Sequence, residues 1–466
     1  MENTCAVVLA AGKGTRMKSK KPKVLAEILF EPMLGYVLRT CQKAGINEIC
    51  AVTGFEAQQV EDYLTGWKDR LCVSTVLQDQ QKGTGHAVMM AKEFLEQNRE
   101  KDVLILYGDT PCLSPEVIED AYRQHKQQNN AATIVTAILE NPYGYGRIVR
   151  DGDSIIKIVE QKDASPEESK IPEINSGVYW FGAEHLLNML EQLKPNNAQG
   201  EYYLTDTIGL TIKSGKRVGG YCAENSDVVL GANSRKDLYE LNEKMRMNII
   251  YRHMENGVSF ASTDGVIIAP DVKIGADTVI LGGTILKEQV VIGEDCVIGP
   301  NTVIQKSEIG DRVKLNSVQC YQSKIHTDVD IGPFVHIRPN SEVKSFAHIG
   351  DFVEVKNSVI GEGTAVAHLT YVGDSDIGKN VNFGCGVVTV NYDGVNKHRC
   401  VVEDDVFIGC NTNLVAPVHI GKGAYTAAGS TITDDVSEYA LAIARSRQTE
   451  IEGFAAKKLA GRKKKV

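Results

Sequence analysis

Residues 273–303 read KIGADTVILGGTILKEQVVIGEDCVIGPNTV. In and around them Ile268, Ile274, Ile280, Leu286, Ile292, Ile298 and Ile304 recur every six residues without a miss. A helix repeats near 3.6 residues and a strand at two, so neither produces this beat. A six-residue period fits a parallel β-helix, in which each strand-and-corner contributes one aliphatic side chain to a stacked interior ladder. The beat returns at Ile325, Ile331, Ile337, Val343, Ile349 and Val355, and again at Val402, Ile408, Leu414 and Ile420. Phe383 and Val402 stand nineteen residues apart, no multiple of six, which predicts that NYDGVNKH (391–398) leaves the coil as a loop. Insertions of this kind in a solenoid are commonly placed for a ligand or partner.

The amino-terminal half has a different texture. CAVVLA, EICAVTG, CVSTVLQ and DVLILYGD read as buried strands, and EPMLGYVLRTCQKAG, FEAQQVEDYL, GTGHAVMMAKEFLEQ and SPEVIEDAYRQHKQQN read as the helices between them. This alternation predicts a mainly parallel sheet covered by helices, with a ligand beyond the carboxyl ends of the strands. Two segments fall at such ends: the turn Gly12-Lys13-Gly14-Thr15-Arg16, and Tyr107-Gly108-Asp109. They are expected to be neighbours in space. A glycine turn after a strand lets backbone amides approach an anion. The spacing matches neither the P-loop nor the dinucleotide fingerprint, whose third glycine would fall at Met17, so the kind of phosphate stays open. Between the halves, Leu238, Leu241, Met245 and Ile249 lie at helical spacing and predict a linker helix over 231–255.

The 466 residues exceed what one core serves, and 42% hydrophobic with 24% charged residues describes an ordinary soluble protein. No apolar run is long enough to span a membrane, and the acidic start MENTCAVVLAAGKG lacks the pattern of a secretory signal. Eleven cysteines without a Cys-x-x-Cys pair suggest reduced thiols in a cytoplasmic protein. Cys50 and Cys72, in apolar runs, are expected in the core. The net charge is −9 even though the last ten residues, KKLAGRKKKV, carry six cations. That balance argues against a nucleic-acid surface, and the basic tail reads first as a solvated terminus.

In order along the chain, LAAGKGTRM, KPKVL, QKGTGHA, LYGDTP, GYGRIV, VEQKDA, EINSGVYWF, GEYYLTD and GANSR resemble the sugar-1-phosphate nucleotidylyltransferases. With HIRP, VEVKNS, AHLTYVGD, NFGCG, VNYDG and LAIARSRQ the whole chain resembles the bifunctional N-acetylglucosamine-1-phosphate uridylyltransferase/glucosamine-1-phosphate N-acetyltransferase family. The resemblance implies a uridylyltransferase domain over 1–230 with a Rossmann-like α/β fold. It implies a left-handed β-helix acetyltransferase domain over 256–437 and a tail over 438–466 that serves the second reaction. The left hand comes from the resemblance, because the period alone does not fix it.

For the first reaction the resemblance implies UTP and Mg²⁺. Leu9, Ala10, Ala11, Gly12 and Gly14 would cradle the triphosphate, with Arg16 and Lys23 at the reacting phosphates. Pro22 restricts the backbone beside Lys23. Asp109 and Asn233 would be the metal ligands, hard oxygens of the kind Mg²⁺ prefers. Gln78, Gly83 and Thr84 match the base-reading segment, Tyr107 and Gly108 the strand end, and Gly146, Glu160 and Asn175 the amino-sugar positions. The residues themselves do not separate UTP from TTP. For the second reaction the resemblance implies acetyl-coenzyme A, with His368 as the base that takes a proton from the attacking amine. Arg338, Lys356, Tyr371, Asn382, Asn391 and Tyr392 would hold glucosamine 1-phosphate and the coenzyme, with Ala428 and Arg445 near the thioester. Cys385 stands where alanine is common and Cys410 where serine is common, and direct acetyl transfer is expected in spite of both thiols. A homotrimer is implied, with no nucleic acid and no membrane insertion. The competing reading is a single-activity nucleotidylyltransferase whose β-helix serves oligomerisation or regulation; His368 and the 391–398 loop weigh against it. A non-catalytic assembly subunit could dispense with Lys23, Asp109 and Asn233, and all three are present.

Overall fold

The computed structural model describes residues 1–466 apart from Glu2, Ala198, Gly461 and 463–466, so the end of the basic tail lies outside the described residues. The chain forms two compact units, Met1–Met247 and Asn248–Val466. The boundary falls inside the helix Arg235–Glu255, along which Leu241, Met245 and Ile249 are buried.

Among the described residues the first unit is built on a nine-stranded sheet: β1 (Thr4–Leu9), β2 (Glu48–Thr53), β3 (Cys72–Leu77), β4 (Asp102–Tyr107), β5 (Ala132–Ile138), β6 (Arg147–Asp151), β7 (Ser154–Val159), β8 (Glu173–Gly182) and β9 (Val218–Cys222). Their order is β9-β5-β8-β4-β1-β2-β3, and β6 pairs with β8 and β7. The pairs β1–β2, β1–β4, β2–β3 and β5–β9 are parallel, while β8 runs antiparallel to both β4 and β5. Alternate residues of the same strands feed two cores. Ala6, Val8, Leu104, Leu106 and Trp180 fill one face, and Cys5, Val7, Val103, Ile105, Tyr179 and Phe181 the other. Strands buried on both faces read as unbroken apolar runs, which is why CAVVLA and DVLILY were legible. The expectation fails at β3, an edge strand exposed along most of its length. Cys72 is accordingly exposed, whereas Cys50 on the central β2 is buried. The helical pattern over 83–97 is two helices, Thr84–Met90 and Lys92–Gln97, meeting at Ala91.

The second unit is a parallel β-helix of three faces, with ladders of eleven, ten and nine strands. It has the hexapeptide architecture of the left-handed β-helix. Regular coils pair residues eighteen apart, as in Ile280 with Ile298. All the six-beat aliphatics named above are buried except Ile274, which is half-buried in the first coils. The gap in the beat after Ile304 is no gap in the ladder. Ile309, Leu315, Cys320 and Ile325 carry it through corners that are mostly one residue shorter. At the insertion the interior position after Phe383 is Thr389, fully buried, and Ile377 pairs with Val402 across a coil lengthened by the loop. The ladder also runs past the expected end at 437, because Tyr425 and Thr426 pair with Leu441 and Ala442.

Candidate active sites

The parallel register of β1 on β4 sets Leu9 beside Tyr107. The chain beyond each strand therefore opens on the same edge of the sheet, and the 12–14 turn and Asp109 become neighbours. The Gly108 N–H donates to the Leu9 carbonyl (2.9 Å), Ala10 N–H to Val52 (2.9 Å) and Phe55 N–H to Ala11 (3.1 Å), which fixes the backbone from 9 to 11. Gly14 is left-handed (φ 61°), and a β-carbon there would come within 2.7 Å of Lys23 Cβ. Glycine is thus needed both for the turn and to seat Lys23.

A cleft of about 440 Å³ opens at this edge. It gathers Leu9, Ala11, Gly12, Gly14, Arg16, Lys23, Gln78, Gly83, Thr84, Tyr107, Asp109 and Asn233 from the sequence reading. The Lys23 ammonium donates to Asn233 Oδ1 at 2.6 Å and pairs with Asp109. Gln78 is buried and donates to the Gly83 carbonyl (3.1 Å). Lys13, Gln81 and Glu201 also line the cleft and carried no assignment from sequence. Gln81 donates to the Ala11 carbonyl at 2.7 Å, a contact between segments that no local pattern announces.

Ala10 and Gly108 lie beneath this lining, and Gly146, Glu160 and Asn175 form a second group. The Asn175 N–H donates to the Gly146 carbonyl (2.9 Å), and a β-carbon on Gly146 would meet Glu160 Oε2 at 3.4 Å. Burial pushes the Glu160 carboxyl above its usual range, against a hydrogen bond from Thr205 (3.2 Å). Tyr107 joins the two groups: burial first, then the Glu160 charge, raise its phenol, with Thr84 beside it working the other way. The antiparallel β8 is bulged between Asn175 and Tyr179, and Gly177 there adopts φ 81° against the Tyr107 ring.

In the second unit the expected residues flank one edge of the prism. His368 ends the strand Ala365–His368 on one face, is exposed, and pairs in register with Asp351 one coil away. Its carbonyl accepts from Thr370 Oγ1 (2.7 Å) and from the Gly386 N–H (3.3 Å). Past that corner the adjoining face carries Arg338, Lys356 and Tyr371 on neighbouring coils. Arg338 is held by Glu354 (2.7 Å). Asn391, buried at the root of the insertion, donates to Asp374 and lies 3.4 Å from the Tyr371 hydroxyl. Asp374 also accepts from Asn357 (2.5 Å) and lies 3.8 Å from Lys356 Nζ. Burial works to raise the Asp374 carboxyl, but these partners win and hold it below its usual range.

The insertion is a small hairpin closed by a Tyr392–Lys397 bridge and by Asp393, which accepts from the Val395 and Asn396 N–H groups and pairs with His398 (2.8 Å). It returns Lys397 to Lys356, whose neighbouring ammonium pushes the Lys397 pKa down. Two crowded cations beside Arg338 suit a dianion. Sequence reasoning passed over Lys397 and Asp374, although both lie in segments it had marked. On the corner itself His368, Cys385, Cys410 and Ala428 occupy one column on successive coils, with Arg445 Cδ 3.8 Å from where a Gly429 β-carbon would be. Asn382 pairs with Ala365 on the strand leading to it, and Tyr392 stands exposed on the loop.

The model of the Nucleotidyl transferase family matches residues 5–246, and that of the Bacterial transferase hexapeptide (six repeats) matches 271–306 and 399–434. A protein described as bifunctional protein GlmU from Acetivibrio thermocellus is 49% identical over 98% of each chain. Its namesakes from Clostridium perfringens and Thermoanaerobacter pseudethanolicus are each 48% identical, over 98% and 97% of this chain and 99% and 98% of theirs. With both halves matched in one chain, end to end, this protein belongs to the GlmU family of bifunctional enzymes.

Proposed function

We propose that the chain makes UDP-N-acetylglucosamine in two steps at two sites. The second unit transfers acetyl from acetyl-coenzyme A to glucosamine 1-phosphate, and the first couples the product to UTP with release of pyrophosphate. The observation that carries this reading is that each half keeps a cation-lined constellation suited to a phosphorylated substrate, in a chain that GlmU relatives match throughout.

In the first site two anions must meet. At about 4 Å and an effective dielectric near 20, each like-charge pair costs about 4 kcal/mol. Arg16, Lys23 and the amides of the 12–14 turn are placed to offset that repulsion. Asp109 and Asn233 direct oxygens at one cation, the Lys23 ammonium, so the pair fits a shared hard metal such as Mg²⁺. When bound, Mg²⁺ would supply further charge neutralisation at the phosphates. Gln78, Gly83 and Thr84 are assigned to the uracil, and Gly146, Glu160 and Asn175 to the sugar. In the second site Arg338, Lys356 and Lys397 hold the sugar phosphate, and Asn391 and Tyr371 steady the ring. His368 takes the proton from the amine so that its lone pair can attack the thioester carbonyl, and coenzyme A leaves as the thiol. Asn382, Tyr392, Cys385, Cys410, Ala428 and Arg445 are assigned to the coenzyme side.

A cytoplasmic homotrimer completes the reading. Among the described residues no helix is long and apolar enough to cross a membrane. The same prism corner presents Phe334, Phe352 and Leu369, each about 60% exposed, an apolar patch of the kind that a second subunit covers. The purified chain is tested with glucosamine 1-phosphate, acetyl-coenzyme A and UTP. Asp109→Ala is expected to abolish pyrophosphate release and spare acetylation, and His368→Ala to do the reverse. Loss of both activities from either folded variant would refute separate sites.

A further inference from the structure

The corner column that holds His368 continues with a thiol on each of the next two coils. Val366 pairs with Phe383 and Phe383 with Ile408, so His368, Cys385 and Cys410 follow one another in register. The backbone agrees: the Gly386 N–H reaches the His368 carbonyl at 3.3 Å, and the Asn411 N–H reaches the Cys385 carbonyl at 2.8 Å. The coils are closed tightly here, since a β-carbon on Gly384 would fall 2.4 Å from Cys410 N and 2.8 Å from its Cα.

We propose that Cys385 and Cys410 form a dithiol modification site that small disulfides oxidise to an intramolecular disulfide, stopping acetyl transfer and leaving uridylyl transfer running. The inference rests on the acetyl site described above. Neighbouring strands stand about 4.8 Å apart, inside the roughly 4.4–6.8 Å separation of α-carbons that a disulfide accepts. Side chains one coil apart at the same corner do meet: the rings of Phe334 and Phe352 stack at 5.3 Å. Cys410 is exposed and Cys385 partly so, with glycine on both sides of Cys385 and before Cys410. The other thiols of this unit, Cys296, Cys320 and Cys400, are buried, where burial pushes Cys320 up to about 12 and Cys400 to about 11 and keeps them protonated.

The exchange balances with a low-molecular-weight disulfide as oxidant. The Cys410 thiolate attacks one sulfur of RSSR, the S–S bond breaks, and RS⁻ leaves to take up the proton that Cys410 gave to solvent. The Cys385 thiolate then attacks Cys410 sulfur in the mixed disulfide and expels the second RS⁻, which is protonated in turn. The cysteine pair is oxidised by two electrons and RSSR is reduced to two RSH. The bridge lies between His368 and Ala428, on the ground assigned to the thioester.

The full-length protein is incubated with 2-hydroxyethyl disulfide, and intact mass, non-reducing peptide mapping and both activities are followed. The expected result is a peptide linking Cys385 to Cys410, about 2 Da lighter than its two reduced halves whatever adducts the exposed Cys72 and Cys222 acquire, and acetyl transfer lowered more than tenfold and restored by dithiothreitol. Uridylyl transfer is unchanged by the same treatment. Cys385→Ala stops at the mixed disulfide on Cys410, so neither it nor Cys410→Ser, whatever their starting rates, yields the linked peptide, and in Cys410→Ser the ratio of treated to untreated acetyl activity returns to near one. A chain that acquires only mixed disulfides, or that cross-links without losing acetyl transfer, overturns the inference. An untreated wild type that does not acetylate refutes the proposed function instead, and the mass readout still decides the pairing.

Discussion

Lys23 and Asn233 stand 210 positions apart in sequence and 2.6 Å apart in space, with the same Lys23 ammonium paired to Asp109. One cation thus satisfies a carboxylate and an amide oxygen at the mouth of the cleft. Lys23→Ala is expected to lower uridylyl transfer by about 10²–10³-fold, the range for removing one charge-stabilising donor from a reacting phosphate or carbonyl. Acetyl transfer is unaffected. In metal-free buffer the variant also leaves two oxygens facing each other, so added Mg²⁺ raises its unfolding temperature more than that of wild type. Steady-state kinetics and thermal scans with and without Mg²⁺ check both statements.

The sugar side of the cleft depends on a glycine. A β-carbon on Gly177 would fall 2.1 Å from the Tyr107 ring, at a φ of 81° that alanine resists. Gly177→Ala should therefore strain the bulge by roughly 1–3 kcal/mol and push Tyr107, which lines the cleft, out of place. The expected outcome is a lowered unfolding temperature and a raised KM for N-acetylglucosamine 1-phosphate. A wild-type KM in this variant would show that the Tyr107 ring is not part of the sugar floor.

Such features explain where the sequence stopped being legible. Leu9 beside Tyr107 follows from two strands buried on both faces, so the apolar runs alone brought the glycine turn to Asp109. The interior ladder was legible wherever corners kept six residues. Between Ile304 and Ile325 the corners shorten and the period vanishes from sequence while the packing persists. Which side chains stack on the outside depends on the running count of such deletions. That is why Lys397 and Asp374, both inside quoted segments, were not seen to share a site with Lys356. The β8 bulge is equally hidden, because Asn-Ser-Gly at 175–177 reads the same in a turn.

Asp374 is the hub of the second site and gives a prediction of its own. It accepts from Asn357 and Asn391 and lies 3.8 Å from Lys356 Nζ. Its removal releases the root of the 391–398 hairpin together with the lysine facing the substrate phosphate. Asp374→Ala should lower kcat/KM for acetyl transfer by roughly ten- to a hundredfold, the cost of misplacing substrate-holding groups by about an ångström. The loss should appear mainly in KM for glucosamine 1-phosphate, with KM for acetyl-coenzyme A and the uridylyl reaction preserved. A fall confined to kcat would place Asp374 nearer the proton transfer.

The first unit also carries a carboxylate that sets its acid stability. At the start of β4, Asp102 accepts from the Tyr122 hydroxyl (3.0 Å) and Lys126 Nζ (2.9 Å), and His125 Nε2 lies 3.7 Å away. Burial works to raise this carboxyl, but the nearby His125 ring and the hydrogen bonds from Lys126 and Tyr122 prevail and hold its pKa at about 2, below the unperturbed 3.8. A depressed carboxylate stabilises the fold fully above its unfolded value and loses that contribution as pH falls through the folded one. Wild type should therefore lose stability between about pH 4 and pH 2 more steeply than Asp102→Asn. The two should differ most above pH 4 and converge near pH 2. Tryptophan fluorescence reads this unit alone, because both tryptophans, Trp67 and Trp180, lie in it and Trp180 packs 4.6 Å from the Tyr122 ring. Parallel curves across that window would mean that the Asp102 charge adds nothing to the fold.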